Sequence, residues 1–287
     1  MSTTATTSGT SARILVIEDD AMLSELLLGV LREQGFGAEV VANGTEALQR
    51  LRTAAFDLAL LDVNLPGVSG LEVLACIHAE GIPCRVIMMT ADLTPATVLQ
   101  AVREQACRYL PKPFTPSMAV QMVREVLTDS APLPIEVASA SPEWVELLVP
   151  CQLSSANRVQ EFLVQLDADL PTAVRESVGL AFRELLLNAV EWGGKLNPLL
   201  RVRIACLRTR RMLLYRICDP GLGFRLDASL KHAAISNTAG NPTAHFQERE
   251  AQGLRPGGLG LLMTRALVDE LIFNEAHNEV VFVKYLD

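Results

Sequence analysis

Two hydrophobic patterns divide the chain. Over roughly the first 130 residues, short apolar runs alternate with segments whose apolar residues recur at helical spacing, beginning with RILVIEDD (13–20) and AMLSELLLGVLREQG (21–35). Five such strands alternate with five helices, and the last helix pattern ends at residue 130. This alternation predicts an α/β fold, in which a doubly wound, five-stranded parallel sheet is covered by helices on both faces.

The second half of the chain follows a different order. The strand WVELLVPC (144–151) precedes two helix patterns, and two alternating strands, LLRVRIACLRT (199–209) and RRMLLYRICDPG (210–221), come next. A polar stretch then leads to one more helix and a closing hairpin. Because strands and helices are segregated, residues 143–287 are predicted to form an α+β domain.

The regions outside these domains are polar or rich in small residues. The start MSTTATTSGTSAR lacks the apolar middle of a signal peptide, so residues 1–12 are predicted to be a disordered tail before a domain at 13–130. The segment APLPIEVASASP (131–142) is rich in Pro, Ala and Ser and is predicted to be a linker.

Composition narrows the functional classes. The 287-residue chain carries a formal net charge of −8 at pH 7, and its basic residues form no patch, so no direct DNA binding is expected. No apolar run approaches the 18 or so residues that span a bilayer, so we expect no membrane partner and a cytoplasmic protein. The six cysteines are spread without a CxxC pair and are expected to be buried apolar residues rather than metal ligands.

Three adjacent acids, Glu18, Asp19 and Asp20, follow the first predicted strand. Taken alone, the triplet fits a cluster of acids at a helix N-terminus. The functional crevice of a parallel sheet, however, lies beyond the carboxyl ends of its strands. Later strands bring further polar side chains to this edge: Asp62, Thr90 and Lys112.

Acidic side chains facing a lysine form an oxygen-ligand site that suits Mg²⁺ with several retained waters. The metal offsets the repulsion among the carboxylates. Lys112 neutralises an oxyanion at Asp62, and the Thr90 hydroxyl donates a hydrogen bond to it. A carboxylate in such surroundings is equipped to attack phosphorus and form an acyl phosphate.

The motifs IEDD, LLDVNLPGVSG, MMTA and YLPKPF occur in this order, and through them residues 13–130 resemble a response-regulator receiver domain. The resemblance implies that Asp62 accepts a phosphoryl group from an upstream histidine kinase or phosphotransfer protein. It also implies a Mg²⁺ site formed by the side chains of Glu18, Asp19 and Asp62 with the main-chain carbonyl of Asn64. Asp20 lies one place beyond the usual acidic pair and is expected to be accessory.

The same resemblance assigns roles at the ends of the fourth and fifth strands. Thr90 and Tyr109 are implied to be a switch pair. Lys112, followed by a cis bond to Pro113, is implied to contact the phosphoryl group. Asp57, at the start of the third strand and far from the crevice, is expected to be structural.

Three motifs in the second half carry candidate chemistry. ELLLNAVEWGG places Glu184 and Asn188 on one helical face, and CDPGLGF ends a strand on Asp219. RPGGLGLLM is a glycine-rich turn opening a helix, whose free amides favour a phosphate. Taken alone, each has a structural explanation: a helix capped by glycines, a tight turn or an ordinary glycine loop.

In this order, the motifs resemble the N, G1 and G2 boxes of the GHKL ATPase superfamily, over roughly residues 143–287. The resemblance implies an α+β ATP-binding sandwich in which Asn188 ligates Mg²⁺ and Asp219 binds the adenine amino group. It implies that glycines shape the base pocket and, with an arginine, hold the phosphates. The base-pocket glycines are Gly221 and Gly223, and the phosphate residues are Arg255, Gly257, Gly258 and Gly260.

A histidine kinase requires a phosphoacceptor histidine on a helical hairpin before the N box. Of the four histidines, only His78 precedes that box, and it lies inside the receiver-like segment. The second half instead resembles anti-sigma-factor serine/threonine kinases, where a glutamate at the position of Glu184 activates a protein serine. This resemblance implies a sigma factor or an anti-sigma-factor antagonist as partner, and a homodimer is compatible with it.

Two positions depart from that pattern: Trp192 stands where many relatives carry histidine, and Asn278 stands where threonine is common. The alternative to a kinase is therefore a non-catalytic protein of the anti-sigma or scaffold type. Phosphorylation of its receiver would control binding to a partner.

Overall fold

The computed structural model describes residues 11–91, 94–128, 133–141, 143–167, 169–223 and 260–286. The chain forms two compact units, Met1–Pro132 and Leu133–Asp287. The first contains a parallel α/β sheet and the second an antiparallel sheet with helices, so both predicted fold classes are confirmed. Every helix in the described part of the chain is too short or too polar to cross a membrane.

The first unit alternates strands and helices. Its elements are β1 (Arg13–Ile17), α1 (Ala21–Glu33), β2 (Gly37–Val41), α2 (Gly44–Thr53), β3 (Leu58–Asp62), α3 (Gly70–Ala79), β4 (Arg85–Thr90), α4 (Pro95–Arg103), β5 (Arg108–Pro111) and α5 (Pro116–Thr128). The strands are parallel in the order β2-β1-β3-β4-β5. All five residues of β3 are buried, because helices cover both faces of a parallel sheet.

Side-chain caps define where helices begin in this unit. The Asp20 carboxylate accepts hydrogen bonds from the backbone amides of Met22 and Leu23, at 2.8 and 3.1 Å, and is the N-cap of α1. Ser69 and Glu72 form a capping box at the start of α3. The helix-start explanation of the acidic triplet therefore describes Asp20, whose carboxylate is engaged in the cap.

The second unit combines an antiparallel sheet with helices. Its elements are β6 (Glu136–Ala140), β7 (Trp144–Pro150), α6 (Leu153–Leu166), α7 (Thr172–Asn188) with a π-helical turn (Ala189–Gly193), β8 (Arg201–Arg208), β9 (Met212–Cys218), α8 (Gly260–Leu267), β10 (Glu270–Phe273) and β11 (Glu279–Tyr285). The strand order is β10-β11-β9-β8-β7-β6, and all neighbours are antiparallel.

Alternating residues of this sheet form the core beneath the helices. Leu213, Tyr215 and Ile217 of β9 are buried, whereas the residues between them are half-exposed. The Tyr215 ring stacks on Phe282 of β11 with 4.9 Å between centroids and contacts Phe182 of α7 at 5.5 Å. One face of the sheet is thus packed against helices, as its period of two predicts.

The segment predicted to be a linker contains a strand. Strand β6 pairs with β7, the preceding Ile135 is only 2 % exposed, and the buried Arg158 donates a hydrogen bond to the Leu133 carbonyl at 3.1 Å. Composition did not predict this strand, because an edge strand exposes most of its side chains and needs few apolar residues. The second unit accordingly begins at Leu133 rather than at residue 143.

Candidate functional site

The polar side chains at the carboxyl edge of the parallel sheet lie close together. Carboxylate oxygens of Glu18, Asp19 and Asp62 lie within 4.8 Å of one another. Glu18 and Asp19 directly follow β1, and Asp62 is the last residue of the adjacent β3. The topology therefore brings together carboxylates that are far apart in sequence, as the strand-end argument predicts.

Lys112 joins two of these carboxylates. Its Nζ donates hydrogen bonds to Glu18 Oε2 at 2.7 Å and to Asp62 Oδ2 at 2.9 Å. Glu18 and Asp62 are both buried, whereas the lysine side chain keeps 21 % of its surface exposed. One ammonium group thus faces two buried carboxylates, which leaves an excess of negative charge in the pocket.

The pKa shifts of Glu18 and Lys112 reflect this excess of negative charge. Burial and the neighbouring Asp62 charge raise the pKa of Glu18 above its usual range, against the lowering effect of Lys112. Burial acts to lower the pKa of Lys112, but its hydrogen bonds to Glu18 and Asp62 outweigh burial and raise it. The lysine therefore stays protonated, and a further cation would relieve the remaining repulsion.

The residues present fit a Mg²⁺ ion. Three carboxylates offer oxygen ligands from one small region, and Asp62 Oδ1 is buried with no hydrogen-bond partner among the described residues. An ion with several waters retained needs only a few protein oxygens of this kind. Asn64 is exposed two residues after Asp62, and its carbonyl stays a predicted ligand.

The predicted switch residues lie at the neighbouring strand ends. Thr90 is fully buried at the end of β4, and Tyr109 in β5 is buried with its hydroxyl donating to the Val98 carbonyl of α4 at 2.8 Å. The Lys112–Pro113 bond is cis, as the resemblance implied. Asp57 accepts a hydrogen bond from the Arg13 amide at 2.7 Å and ties the start of β3 to β1, in accord with a structural role.

A glycine near the site was missed by the sequence analysis. A Cβ on Gly70 would overlap the main-chain carbonyl of Asp62, and the Gly70 amide donates to the Val63 carbonyl at 2.9 Å. Only a residue without a side chain allows α3 to begin this close to the phosphoacceptor candidate. The sequence PGVSG alone does not show which backbone Gly70 approaches.

The second unit brings Glu184 and Asn188 together near the start of α8. The Asn188 side-chain amide donates to Glu184 Oε1 at 3.3 Å, across one turn of α7. A Cβ on Gly260, the first residue of α8, would overlap the Glu184 carboxylate. The motifs ELLLNAVEWGG and RPGGLGLLM are therefore in contact, with Gly260 lying directly against Glu184.

Asp219 lies at the end of β9 in a tightly packed turn. Its Oδ1 accepts a hydrogen bond from the Gly221 amide at 2.7 Å, and a Cβ on Gly193 would overlap the Asp219 side chain. Burial raises the pKa of Asp219, and the Gly221 hydrogen bond partly opposes this. The Asp219 carboxylate therefore has an acceptor oxygen held in a half-buried position, as recognition of an amino group requires.

Asn278 supports the same turn. Its side-chain amide donates to the Gly221 carbonyl at 3.0 Å, and its main-chain carbonyl accepts from the Asp219 amide at 2.9 Å. A Cβ on Gly223, which has φ of 81°, would overlap the Ala276 carbonyl. Because residue 278 is asparagine rather than threonine, its side-chain amide supports the turn that forms the predicted base pocket.

Comparisons with known proteins match both units. The response regulator receiver domain model matches residues 14–124, and the histidine kinase-like ATPase domain model matches residues 149–284. The DNA-binding response regulator MtrA of Mycobacterium tuberculosis is 38% identical over 183 residues, which cover 63% of this chain and 78% of MtrA. The chain belongs to the response-regulator family. Its second unit is a GHKL-type, histidine kinase-like ATPase domain.

Two further relatives align with this response regulator over shorter stretches. The transcriptional regulatory protein CutR of Streptomyces coelicolor is 36% identical over 123 residues, covering 42% of this chain and 57% of CutR. A crystal structure of a CheY-like receiver domain protein from Methanospirillum hungatei has a TM-score of 0.40 and 27% identity, covering 41% of this chain and 94% of that one.

The ATPase domain of this response regulator implies ATP binding, and the receiver domain implies an upstream phosphodonor such as a histidine kinase. The predicted phosphate residues Arg255, Gly257 and Gly258 lie outside the described residues. Of the residues predicted for the ATP site and its catalytic base, the structure describes Glu184, Asn188, Asp219, Gly221, Gly223 and Gly260.

Proposed function

We propose that Asp62 of this response regulator accepts a phosphoryl group from an upstream histidine kinase or phosphotransfer protein. The observation that supports this most directly is the Lys112 ammonium, which bridges Glu18 and Asp62 within a cluster of three carboxylates. Lys112 holds Asp62 Oδ2, so Oδ1, which has no described partner, is the oxygen proposed to attack phosphorus. The bond from phosphorus to the donor nitrogen breaks as the new oxygen–phosphorus bond forms.

This chain's own groups would position the acyl phosphate. Lys112 is proposed to move from the carboxylate oxygen to a phosphoryl oxygen, and Thr90 to donate its hydroxyl proton to another. Mg²⁺, bound by Glu18, Asp19, Asp62 and the Asn64 carbonyl, would supply positive charge for the phosphoryl oxygens. Thr90 and Tyr109, which is buried in β5, would form the switch pair that responds to phosphorylation of Asp62.

The output that we propose is an ATP-dependent serine/threonine protein kinase of the anti-sigma-factor type. Asn188 would ligate Mg²⁺ and Asp219 would bind the adenine amino group. Gly221 and Gly223 would shape the base pocket, and Arg255, Gly257, Gly258 and Gly260 would hold the phosphates. Glu184 would orient or deprotonate the serine hydroxyl of a sigma-factor antagonist, although positioning and charge neutralisation supply most of such catalysis.

A second candidate is a non-catalytic domain whose binding to a sigma factor or scaffold partner is controlled by phosphorylation. The contact between Glu184 and the start of α8 favours it, because the candidate base is packed against Gly260 and bonded to Asn188. Trp192, in place of a common histidine, also favours it. Such a domain would bind ATP, or no nucleotide, and would transfer no phosphate.

The coupling between the two units is tested by titration calorimetry with MgATP, with and without beryllofluoride as a mimic of phosphorylated Asp62. We expect an affinity change of tenfold or more, which corresponds to about 1.4 kcal/mol. Asn188→Ala controls for binding at the ATP site, and Asp62→Asn controls for the mimic. Tight binding that does not respond to beryllofluoride would contradict regulation of the nucleotide site.

The two candidate outputs are separated by transfer of label from [γ-³²P]ATP to a purified sigma-factor antagonist. A kinase loses transfer in Glu184→Ala while ATP binding is retained. A docking domain shows no transfer in either form but still binds its partner. Absence of ATP binding to the native chain would exclude the kinase and leave the phosphorylation-controlled docking domain.

A further inference from the structure

The π-helical turn after α7 ends on two glycines that pack against the ends of two strands. The Gly194 amide donates to the Ala189 carbonyl, five residues back, at 2.8 Å and closes the turn. A Cβ on Gly193 would overlap the Asp219 carboxylate, which follows β9. A Cβ on Gly194 would overlap the Cys151 side chain, which follows β7. The glycine pair therefore allows the end of the helix to lie directly against both strand ends.

Close packing, rather than backbone conformation, accounts for glycine at these two positions. A glycine that caps a helix usually adopts a left-handed backbone. Gly194 has φ of −87°, and Gly193 also lies outside the left-handed region. An alanine could adopt either backbone conformation, and only its Cβ would be in conflict with Asp219 or Cys151.

The π-helical turn also affects which residue faces Asp219. An α-helix turns about 100° per residue, so the fifth residue after Asn188 would lie about 140° around the axis from it. Hydrogen bonds between residues five apart widen the turn and bring that fifth residue, Gly193, closer to the face of Asn188. One helix end thus carries the candidate Mg²⁺ ligand and the contact to the candidate adenine ligand.

The half-buried Asp219 carboxylate is held by three residues, which we call the aspartate clamp: Gly193, Gly221 and Asn278. The Gly221 amide donates to Asp219 Oδ1 at 2.7 Å, and a Cβ on Gly221 would lie 3.0 Å from the Gly193 Cα. The Asn278 side-chain amide donates to the Gly221 carbonyl at 3.0 Å. No described residue donates a hydrogen bond to Asp219 Oδ2, so this oxygen is left to accept from a ligand.

We infer that the aspartate clamp sets the base selectivity of the nucleotide site and that Gly193 is a positioning residue for Asp219. The inference rests on the proposed role of Asp219 as the adenine ligand and deepens it. A carboxylate oxygen accepts a hydrogen bond from an amino group and has no proton to donate to a carbonyl. Held in one position, it accepts from the 6-amino group of adenine and disfavours a base that lacks this group, because the acceptor would then stay unpaired.

An alanine at position 193 acts on this carboxylate. Its methyl group would overlap the Asp219 side chain, so the carboxylate or the turn must shift. The shifted carboxylate loses its hydrogen bond from the amino group. The triphosphate is proposed to be bound elsewhere, by Asn188 through Mg²⁺ and near the start of α8. A nucleotide without the amino group should therefore bind as before.

The test compares two nucleotides by titration calorimetry of the full-length chain with Mg²⁺. They are ATP and purine riboside triphosphate, which lacks the 6-amino group. We expect the native chain to bind ATP at least tenfold more tightly, and Gly193→Ala to reduce this ratio to about threefold or less, mainly by weakening ATP. Loss of folded protein weakens both nucleotides equally and leaves the ratio unchanged.

Gly179→Ala is the matched control, because it is the same substitution within α7. No atom of a neighbouring element lies within 4 Å of a Cβ at Gly179, so the ratio should stay at its native value. Asn278→Ala tests the clamp without adding a side chain to the turn, so the test stands even where Gly193→Ala does not fold. It removes the bond to the Gly221 carbonyl and should lower the ratio at least threefold.

Asp219→Asn separates this inference from the proposed function. The Gly221 amide would hold the oxygen of the new side chain and leave its NH₂ group facing the base, so the preference for ATP should be lost. A variant that keeps the preference would contradict the adenine role of Asp219, and the clamp with it. Loss of the preference in Asp219→Asn, but in neither Gly193→Ala nor Asn278→Ala, would overturn the clamp alone. A native chain that binds the two nucleotides equally, or binds neither, would also overturn it.

Discussion

At the scale of single residues, the electrostatics of the receiver pocket depend on Lys112. Replacing it with alanine leaves the buried carboxylates of Glu18 and Asp62 without their shared cation. We expect Lys112→Ala to destabilise the first unit by about 3 kcal/mol in the absence of Mg²⁺, in the range for removing one partner of a buried ion pair. Differential scanning calorimetry measures this loss.

The control for this prediction is Lys112→Arg, which keeps the positive charge and should retain most of the stability. Both tryptophans, Trp144 and Trp192, lie in the second unit, so their fluorescence identifies the calorimetric transition of that unit. A first-unit transition unaltered in Lys112→Ala would show that the carboxylates do not depend on the lysine.

A second residue-scale prediction concerns Asp167, the buried C-cap residue of α6. Tyr215 donates a hydrogen bond to Asp167 Oδ2 at 2.6 Å. Burial raises the pKa of Asp167, against the lowering effects of Tyr215 and Arg208. The native chain therefore retains this proton to a higher pH than the unfolded chain, and the free energy of unfolding falls as pH rises from about 4 through the raised native pKa.

Asp167→Asn keeps an acceptor for Tyr215 and removes the titration, so we expect it to lose less stability than the native chain as pH rises across this window. Urea unfolding followed by tryptophan fluorescence at several pH values measures the difference. Asp169→Asn is a control of opposite sign, because a hydrogen bond from Arg208 lowers the pKa of the exposed Asp169. A native chain that loses no more stability than Asp167→Asn as pH rises across this window would contradict the assigned direction.

At the scale of elements, the start of α3 depends on its first residue. A Cβ on Gly70 would overlap the Asp62 carbonyl, so Gly70→Ala must displace α3 or β3. We expect a loss of about 1–3 kcal/mol, as for overpacked sites, together with slower phosphorylation of Asp62 by acetyl phosphate. Calorimetry and phosphate-affinity electrophoresis measure the two effects.

The matched control in the same unit is Gly29→Ala. Gly29 lies inside α1, and no side chain or backbone of another element comes within 4 Å of the position that a Cβ would occupy there. An alanine at this position should stabilise the helix by up to about 1 kcal/mol, because glycine has the greater conformational entropy in the unfolded chain. Equal effects of the two substitutions would show that the close approach of Gly70 carries no cost.

At the scale of the whole molecule, the boundary between the units can be tested by truncation. Residues 133–287 include β6, Ile135 and the Leu133 carbonyl bound by Arg158, whereas residues 143–287 lack them. We expect the longer fragment to unfold at the same urea concentration as the second unit of the full chain. The shorter one should lose at least about 2 kcal/mol, since removing Ile135 alone deletes a buried aliphatic side chain.

Tryptophan fluorescence follows both fragments, because each contains Trp144 and Trp192. Equal stability of the two fragments would support residue 143 as the start of the second unit, as the composition predicted. The segment would then be a linker that merely rests beside β7.

Periodicity and order along the chain were enough to predict the fold classes and to place the main candidate site residues. A parallel sheet must bring the residues after β1, β3 and β5 to one edge, so Glu18, Asp62 and Lys112 could be placed together before any coordinates. The pairing of Glu184 with Asn188 likewise follows from helical spacing.

Which groups touch, and that β6 pairs with β7, became evident only in the folded chain. The overlap of Gly70 with the Asp62 carbonyl and the contact of Gly260 with Glu184 join segments whose distance no local pattern encodes. Strand β6 escaped prediction because pairing with β7, rather than its own hydrophobic pattern, holds it at the sheet edge. Local propensity depends on residues that are neighbours in sequence, whereas close approaches and edge-strand pairing form only when distant segments pack together.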